Sequence, residues 1–180
     1  MTDILYAVPS KHASRKRNDT WEAAEEILEE GQYCTMGLWA GNHPYVTPMN
    51  FVHKKKTLYF HSSWQGKKME HLRKVDVVCI NICIYNGVII NKVPCFQTSA
   101  YKSLTLFGKP RLVEDDEYKK EVMQLVLDKY SPEGDYRPLE VNDLLGVALF
   151  AVDLTEWSVK ISEPTDKPAE GGCPVTGSGS

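Results

Sequence analysis

The residues best equipped for chemistry lie in the run His61-Ser62-Ser63-Trp64-Gln65-Gly66-Lys67-Lys68. It packs an imidazole, two hydroxyls and two ammonium groups into a short stretch where a strand-like pattern gives way to a helical one. The first turn of a helix carries unpaired amides. Added to the hydroxyls and lysines, they make a volume that favours an anion, most naturally a phosphate. Lysines also decorate solvated helix faces, so the spacing alone leaves both readings open.

A metal centre is the competing chemistry. His43, His53, His61 and His71 recur ten or so residues apart, and Cys79 and Cys83 follow. Dedicated zinc sites cluster their ligands as CxxC or at helical i, i+4 spacing, and neither pattern occurs here, so no metal is expected. The chain has 5 cysteines, an odd number without CxxC spacing. Three of them fall in apolar strand-like runs, where a reduced thiol behaves as a small hydrophobe. No GxGxxG follows a strand and opens a helix, and no GxxxxGK[ST] loop is present. A net charge of −3 argues against a broad nucleic-acid or anionic-membrane surface. No apolar run approaches the ~20 residues that cross a bilayer, and the first residues lack the layout of a secretory signal, so a cytoplasmic protein is expected.

Elements must position these groups, and 180 residues suffice for one domain with a core of its own. Asp19-x-x-Glu22 reads as a capping box that opens a short helix, with Trp21, Ala24, Ile27 and Leu28 on one face and Gly31 at its end. Residues 33–40 read as a strand, and Gly41-Asn42 as a turn into the next. There Val46, Pro48, Asn50 and Val52 alternate with Tyr45, Thr47, Met49 and Phe51. Both sets contain apolar residues, which implies a strand covered on both sides. Pro48 removes a ladder donor and belongs at an edge, at a bulge or beside a bound group. Lys54, Lys55 and Lys56 form a solvated turn, residues 57–62 a strand, and residues 64–74 the helix that carries Lys67 and Lys68. Further strands are expected at 75–85, at 101–113 with a bend at Gly108, at 147–154 and at 156–161. A second long helix starts at Asp115, and residues 86–100 read as a loop that covers something. Residues 1–17 are expected to be a solvated arm, 18–162 the domain, and 163–180 a disordered tail rich in Pro, Gly, Ser and Thr. Short turns between strands predict a mainly β protein with flanking helices, a closed or partly closed antiparallel barrel.

The runs Pro44–Val52, Leu58–Ser62, Gly66–Met69, Tyr101–Ser103, Phe107–Val113 and Glu156-Trp157 resemble, in order and spacing, the nitroimidazole-resistance reductases. These belong to the pyridoxamine 5'-phosphate oxidase-like, FMN-binding split-barrel superfamily. The resemblance implies a split β-barrel homodimer with FMN at the subunit interface. It assigns Val46, Thr47, Pro48, Met49 and Asn50 to the wall of the flavin site, and Phe60, His61 and Ser62 to the ribityl chain and phosphate. Lys68 becomes the phosphate ligand with Lys67 beside it, while Ser103 and Trp157 become further cofactor contacts. A phosphate clamp does not see what lies beyond the phosphate, so FAD or haem stays an alternative to FMN. The oxidases proper carry arginine and lysine on the strand that here reads Val46-Thr47-Pro48-Met49-Asn50, so oxidation of vitamin B6 is not expected.

The implied activity is an FMN-dependent reductase taking electrons from a reduced nicotinamide to a small acceptor such as a nitroimidazole. His61 is the candidate proton donor, because an imidazole holds a transferable proton near neutral pH. Its plainer role is a hydrogen-bonded strand-end residue that shapes the phosphate site. The alternative at the level of the whole protein is a flavin-binding protein without turnover.

Overall fold

A computed structural model describes residues 7–8, 12–39, 41 and 43–166. Its strands are β1 (Ala7–Val8), β2 (His12–Arg17), β3 (Cys34–Trp39), β4 (Pro44–Met49), β5 (Val52–Lys54), β6 (Thr57–Ser63), β7 (Val78–Ile89), β8 (Thr98–Gly108), β9 (Pro110–Leu112), β10 (Val147–Asp153) and β11 (Glu156–Thr165). The helices are α1 (Trp21–Glu30), α2 (Lys67–Leu72) and α3 (Asp116–Tyr130). They form a seven-stranded sheet in the order β2-β11-β8-β7-β3-β4, with β1 added parallel to β7, and a four-stranded sheet in the order β5-β6-β10-β9. This is the expected split β-barrel with helices at its flanks.

Alternation along the strands makes two cores. Met36, Leu38, Ile80, Ile82, Leu104, Leu106 and Val159 of the larger sheet meet Leu58, Phe60, Ala148 and Phe150 of the smaller one, and Ile27 and Leu28 of α1 and Met69 and Leu72 of α2 close the ends. The other face of the smaller sheet, with Tyr59, Leu149 and Ala151, takes Val122 and Val126 of α3. Between β4 and β5 the chain leaves the ladder at Phe51. There the Tyr130 hydroxyl accepts from the Phe51 amide at 2.9 Å and donates to its carbonyl at 2.8 Å, which satisfies both backbone groups of a fully buried residue.

Four sequence expectations shift. Residues 12–17 are not a free arm: β2 pairs with β11 from Arg17↔Lys160 to His12↔Thr165, so the sheet extends past residue 162. The N-cap of α1 is Thr20, whose hydroxyl accepts from the Ala23 amide at 3.3 Å. Asp19 instead accepts from the Val159 amide at 2.8 Å and pairs with Arg17, tying the entry of α1 to β11. The expected loop 86–100 is shorter, spanning residues 90–97, because β7 runs to Ile89 and β8 starts at Thr98. Residues 167–180, with Cys173 and most of the expected tail, lie outside the described residues.

Candidate functional site

Gly66 precedes α2 with φ of 97°, a left-handed conformation that glycine adopts without cost, and it turns the chain from the end of β6 into the helix. Met69 and Leu72 bury themselves in the core, which leaves Lys68 and His71 on the half-buried flank towards β4. The Lys68 ammonium lies 3.1 Å from Sδ of Met49, its one hydrogen-bond acceptor among the described residues. Burial pushes its pKa down. A thioether is a poor partner for a desolvated ammonium, so this charge favours an anion nearby. Lys67 is exposed.

Alternation sends Ser62 and His61 to opposite faces of β6. Ser62 follows Leu58 and Phe60 onto the inner face and is 9% exposed, whereas His61 shares the face of Tyr59. His61 is half-buried, and its Nδ1 is buried without a partner. Burial, and then the charge of Lys68, hold its pKa below the ordinary value, so the ring is mainly neutral at pH 7. Phe60 is fully buried and stacked on Phe150 at 5.7 Å, so its side chain belongs to the core. On β4, Thr47 and Met49 face inward beside Cys34 and Met36, while Val46 and Pro48 point outward and are exposed, as is Asn50. Pro48 therefore sits on an edge strand, one of the three places open to it.

Two sequence-assigned residues stand apart from Lys68. Ser103 alternates with the buried Leu104 and so lies on the outer face of the larger sheet, where its hydroxyl accepts from Asn81 at 3.2 Å. Trp157 stands edge-on to Trp21 at 5.9 Å, donates its indole N–H to the Asp19 carbonyl at 3.0 Å, and has the Lys56 ammonium 5.3 Å above its ring. Lys56 precedes β6 and Ser62 lies near its far end, roughly 20 Å away at ~3.3 Å per residue. Within one chain Lys68 stands against Met49 and near enough to His61 for its charge to act on that ring, Ser62 lies beside His61 in sequence but on the other face of β6, and Ser103 and Trp157 stand apart.

Residues 20–161 match the family described as pyridoxamine 5'-phosphate oxidase. The chain belongs to that family. Solved structures agree on the fold. A candidate 5-nitroimidazole antibiotic resistance protein from Bacteroides thetaiotaomicron superposes with a TM-score of 0.70 at 24% identity, over 84% of this chain and 90% of that one. A flavocytochrome from Azotobacter vinelandii gives 0.74 at 21% identity, over 84% and 72%. An FAD- and haem-binding protein from Mycobacterium smegmatis gives 0.75 at 22% identity, over 84% and 77%. No functionally curated protein matches the chain.

One feature of this member of the pyridoxamine 5'-phosphate oxidase family escaped sequence reasoning. His71, one helical turn beyond Lys68, stacks on Tyr45 with ring centroids 5.2 Å apart and planes 12° apart, and His43 meets it edge-on at 5.9 Å. Its Nδ1 is buried without a partner, like that of His61. The i, i+3 spacing of Lys68 and His71 carried the signal that both share a helix flank. Among the described residues no three His, Cys, Asp or Glu side chains are grouped to hold a metal.

Proposed function

We propose that the chain is a flavin-dependent oxidoreductase, passing electrons from a reduced nicotinamide to a small acceptor such as a nitroimidazole. The observation that carries this reading is Lys68, a half-buried ammonium whose one hydrogen-bond acceptor among the described residues is a thioether. The partnerless Nδ1 of His61 beside it fits the same group, since a bound phosphate offers acceptors to both. The residues present therefore suit the phosphate end of a flavin, FMN by preference and FAD as the alternative. Lys68 and Ser62 would hold the phosphate, Lys67 would add long-range attraction, and Thr47, Pro48 and Met49 would cover the ring. Ser103 and Trp157, remote from Lys68 in one chain, would reach a cofactor only from the second subunit of a homodimer.

A bound flavin supplies the redox chemistry; this chain supplies binding, orientation and exclusion of water. His61, largely neutral at pH 7, presents one N–H and one acceptor nitrogen, so its role is to hold a hydrogen bond and relay a proton rather than to carry a standing charge. The alternative is a flavin-binding protein without turnover, since a fold does not fix an activity.

Absorbance separates the readings. Flavin-loaded protein should bleach with a reduced nicotinamide under anaerobic conditions and recover its yellow colour when a nitroimidazole is added. Bleaching without recovery by any acceptor leaves the binding protein. Failure to take up FMN or FAD at all ends both readings, and mass spectrometry of the released ligand decides between the two flavins.

A further inference from the structure

The partner of Lys68 is a sulfur, and sulfur can be oxidised. Nζ of Lys68 donates to Sδ of Met49 at 3.1 Å, with no other acceptor for it among the described residues. Met49 reaches this place through the alternation of β4, which turns it inward from the edge strand of the larger sheet. It lies at the margin of the core, 6% exposed, whereas Met36 and Met69 are sealed inside it. Lys68 above it is half-buried, so the sulfur sits directly beneath an accessible side chain.

A thioether is a soft, weak acceptor. It steadies the ammonium and leaves the charge free for a phosphate. A sulfoxide reverses this, because its oxygen is polar and accepts strongly. We propose that oxidation of Met49 to the sulfoxide by hydrogen peroxide switches off flavin uptake, the new oxygen taking the Lys68 ammonium away from the phosphate. The switch presupposes the flavin site proposed above, with Lys68 on the phosphate. In the oxidation the sulfur lone pair takes one peroxide oxygen, the O–O bond breaks, and sulfur gives up two electrons. Lys68 hands a proton to the departing hydroxide, which leaves as water, and regains one from the transferred hydroxyl. A flavin ring covering Met49 would shield the sulfur, so the switch acts on the flavin-free chain.

Hydrogen peroxide titrated into the flavin-free, full-length chain tests this, read by peptide mass spectrometry and by flavin fluorescence. Met49 is expected to gain one oxygen ahead of Met36 and Met69, and prior loading with FMN should protect it. FMN affinity should fall about tenfold to a hundredfold in step with the sulfoxide, the range of one charge-assisted hydrogen bond. Methionine sulfoxide reductases should restore it. Met49→Leu keeps Met36, Met69 and Met123, and whatever its starting affinity, peroxide should not change it. Met49→Gln, with a permanent amide oxygen beside Lys68, should bind FMN weakly without peroxide. The proposal is overturned if a chain fully oxidised at Met49 binds FMN as before, if Met49 resists peroxide that oxidises Met36 and Met69, or if peroxide weakens Met49→Leu as it does the parent. An untreated chain that takes up neither FMN nor FAD ends the proposed function and the switch with it. Equal binding by the untreated and oxidised chains ends the switch alone.

Discussion

Lys68 and His61 are the side chains on which the proposed cofactor site turns, and each yields a measurable consequence. A charge-assisted hydrogen bond contributes about 1.5–3 kcal/mol, so Lys68→Met is expected to weaken FMN binding about tenfold to a hundredfold, read by quenching of flavin fluorescence. The flavin-free variant should melt no lower than the parent, because the replaced ammonium is half-buried with only a thioether partner. A variant that binds FMN normally removes Lys68 from the site. His61 and His53 both have folded pKa values held below 6.5, chiefly by burial. On acidification the unfolded chain takes up those protons first. Stability is therefore full above the ordinary imidazole value and is lost as pH falls through the depressed folded values. The flavin-free melting temperature should drop between about pH 7 and about pH 5, and His61→Gln should make that drop shallower. An unchanged slope in His61→Gln would mean that its imidazole titrates as in water.

At the scale of elements, close approach matters more than propensity. Gly108 ends β8 where an added Cβ would stand 2.5 Å from Val152 Cγ1 and 2.8 Å from the Asp153 carbonyl oxygen. Gly108→Ala should therefore destabilise the protein by about 2 kcal/mol through overpacking, a fall of roughly 4–8 °C in Tm by calorimetry. An unchanged Tm would show that β10 yields without cost. The sequence marked Gly108 as a bend but gave no hint of the strand pressed against it, since that contact is set by the pairing of β9 with β10. The same limit explains the other differences. Period-2 patterning showed β3, β4, β6 and β8 and the strand-to-helix handover at Gly66. It did not show that β2 is a strand, because the run His12–Arg17 is basic and owes its order to pairing with β11. Thr20 and Asp19 are both good caps, and only the position of the Val159 amide decides which one serves α1. In the site, Lys68 and Ser62 were legible as a local handover motif. The stack of His71 on Tyr45 was not, because it joins a helix to a strand more than twenty residues earlier in the chain.

At the scale of the whole molecule, one face has no layer over it among the described residues. The inner face of the seven-stranded sheet is closed by the smaller sheet, α1 and α2, but one row on its outer face runs Val46, Gly37, Cys79 and Phe107 across β4, β3, β7 and β8. Val46 is 62% exposed and Phe107 39%, and Trp39, two residues along β3 from Gly37, is 59%. Strand β4 is also the edge of the sheet, so its apolar outer face and its free backbone edge adjoin the inward-facing Thr47 and Met49 of the proposed flavin site. The sequence pattern of β4 called for cover on both sides, and the described residues supply one. A second copy laid on this face would provide the other, and it is also what the remote Ser103 and Trp157 require if they are to reach a cofactor. Val46→Asp places a carboxylate in the centre of that contact, at a position too exposed in the single chain to disturb its core. If the proposed dimer forms through this face, the variant is expected to sediment as a monomer and to lose bound flavin in parallel, with the circular dichroism of the fold retained. A parent chain that sediments as a flavin-loaded monomer, or a Val46→Asp variant that stays dimeric and yellow, would place the partner surface elsewhere.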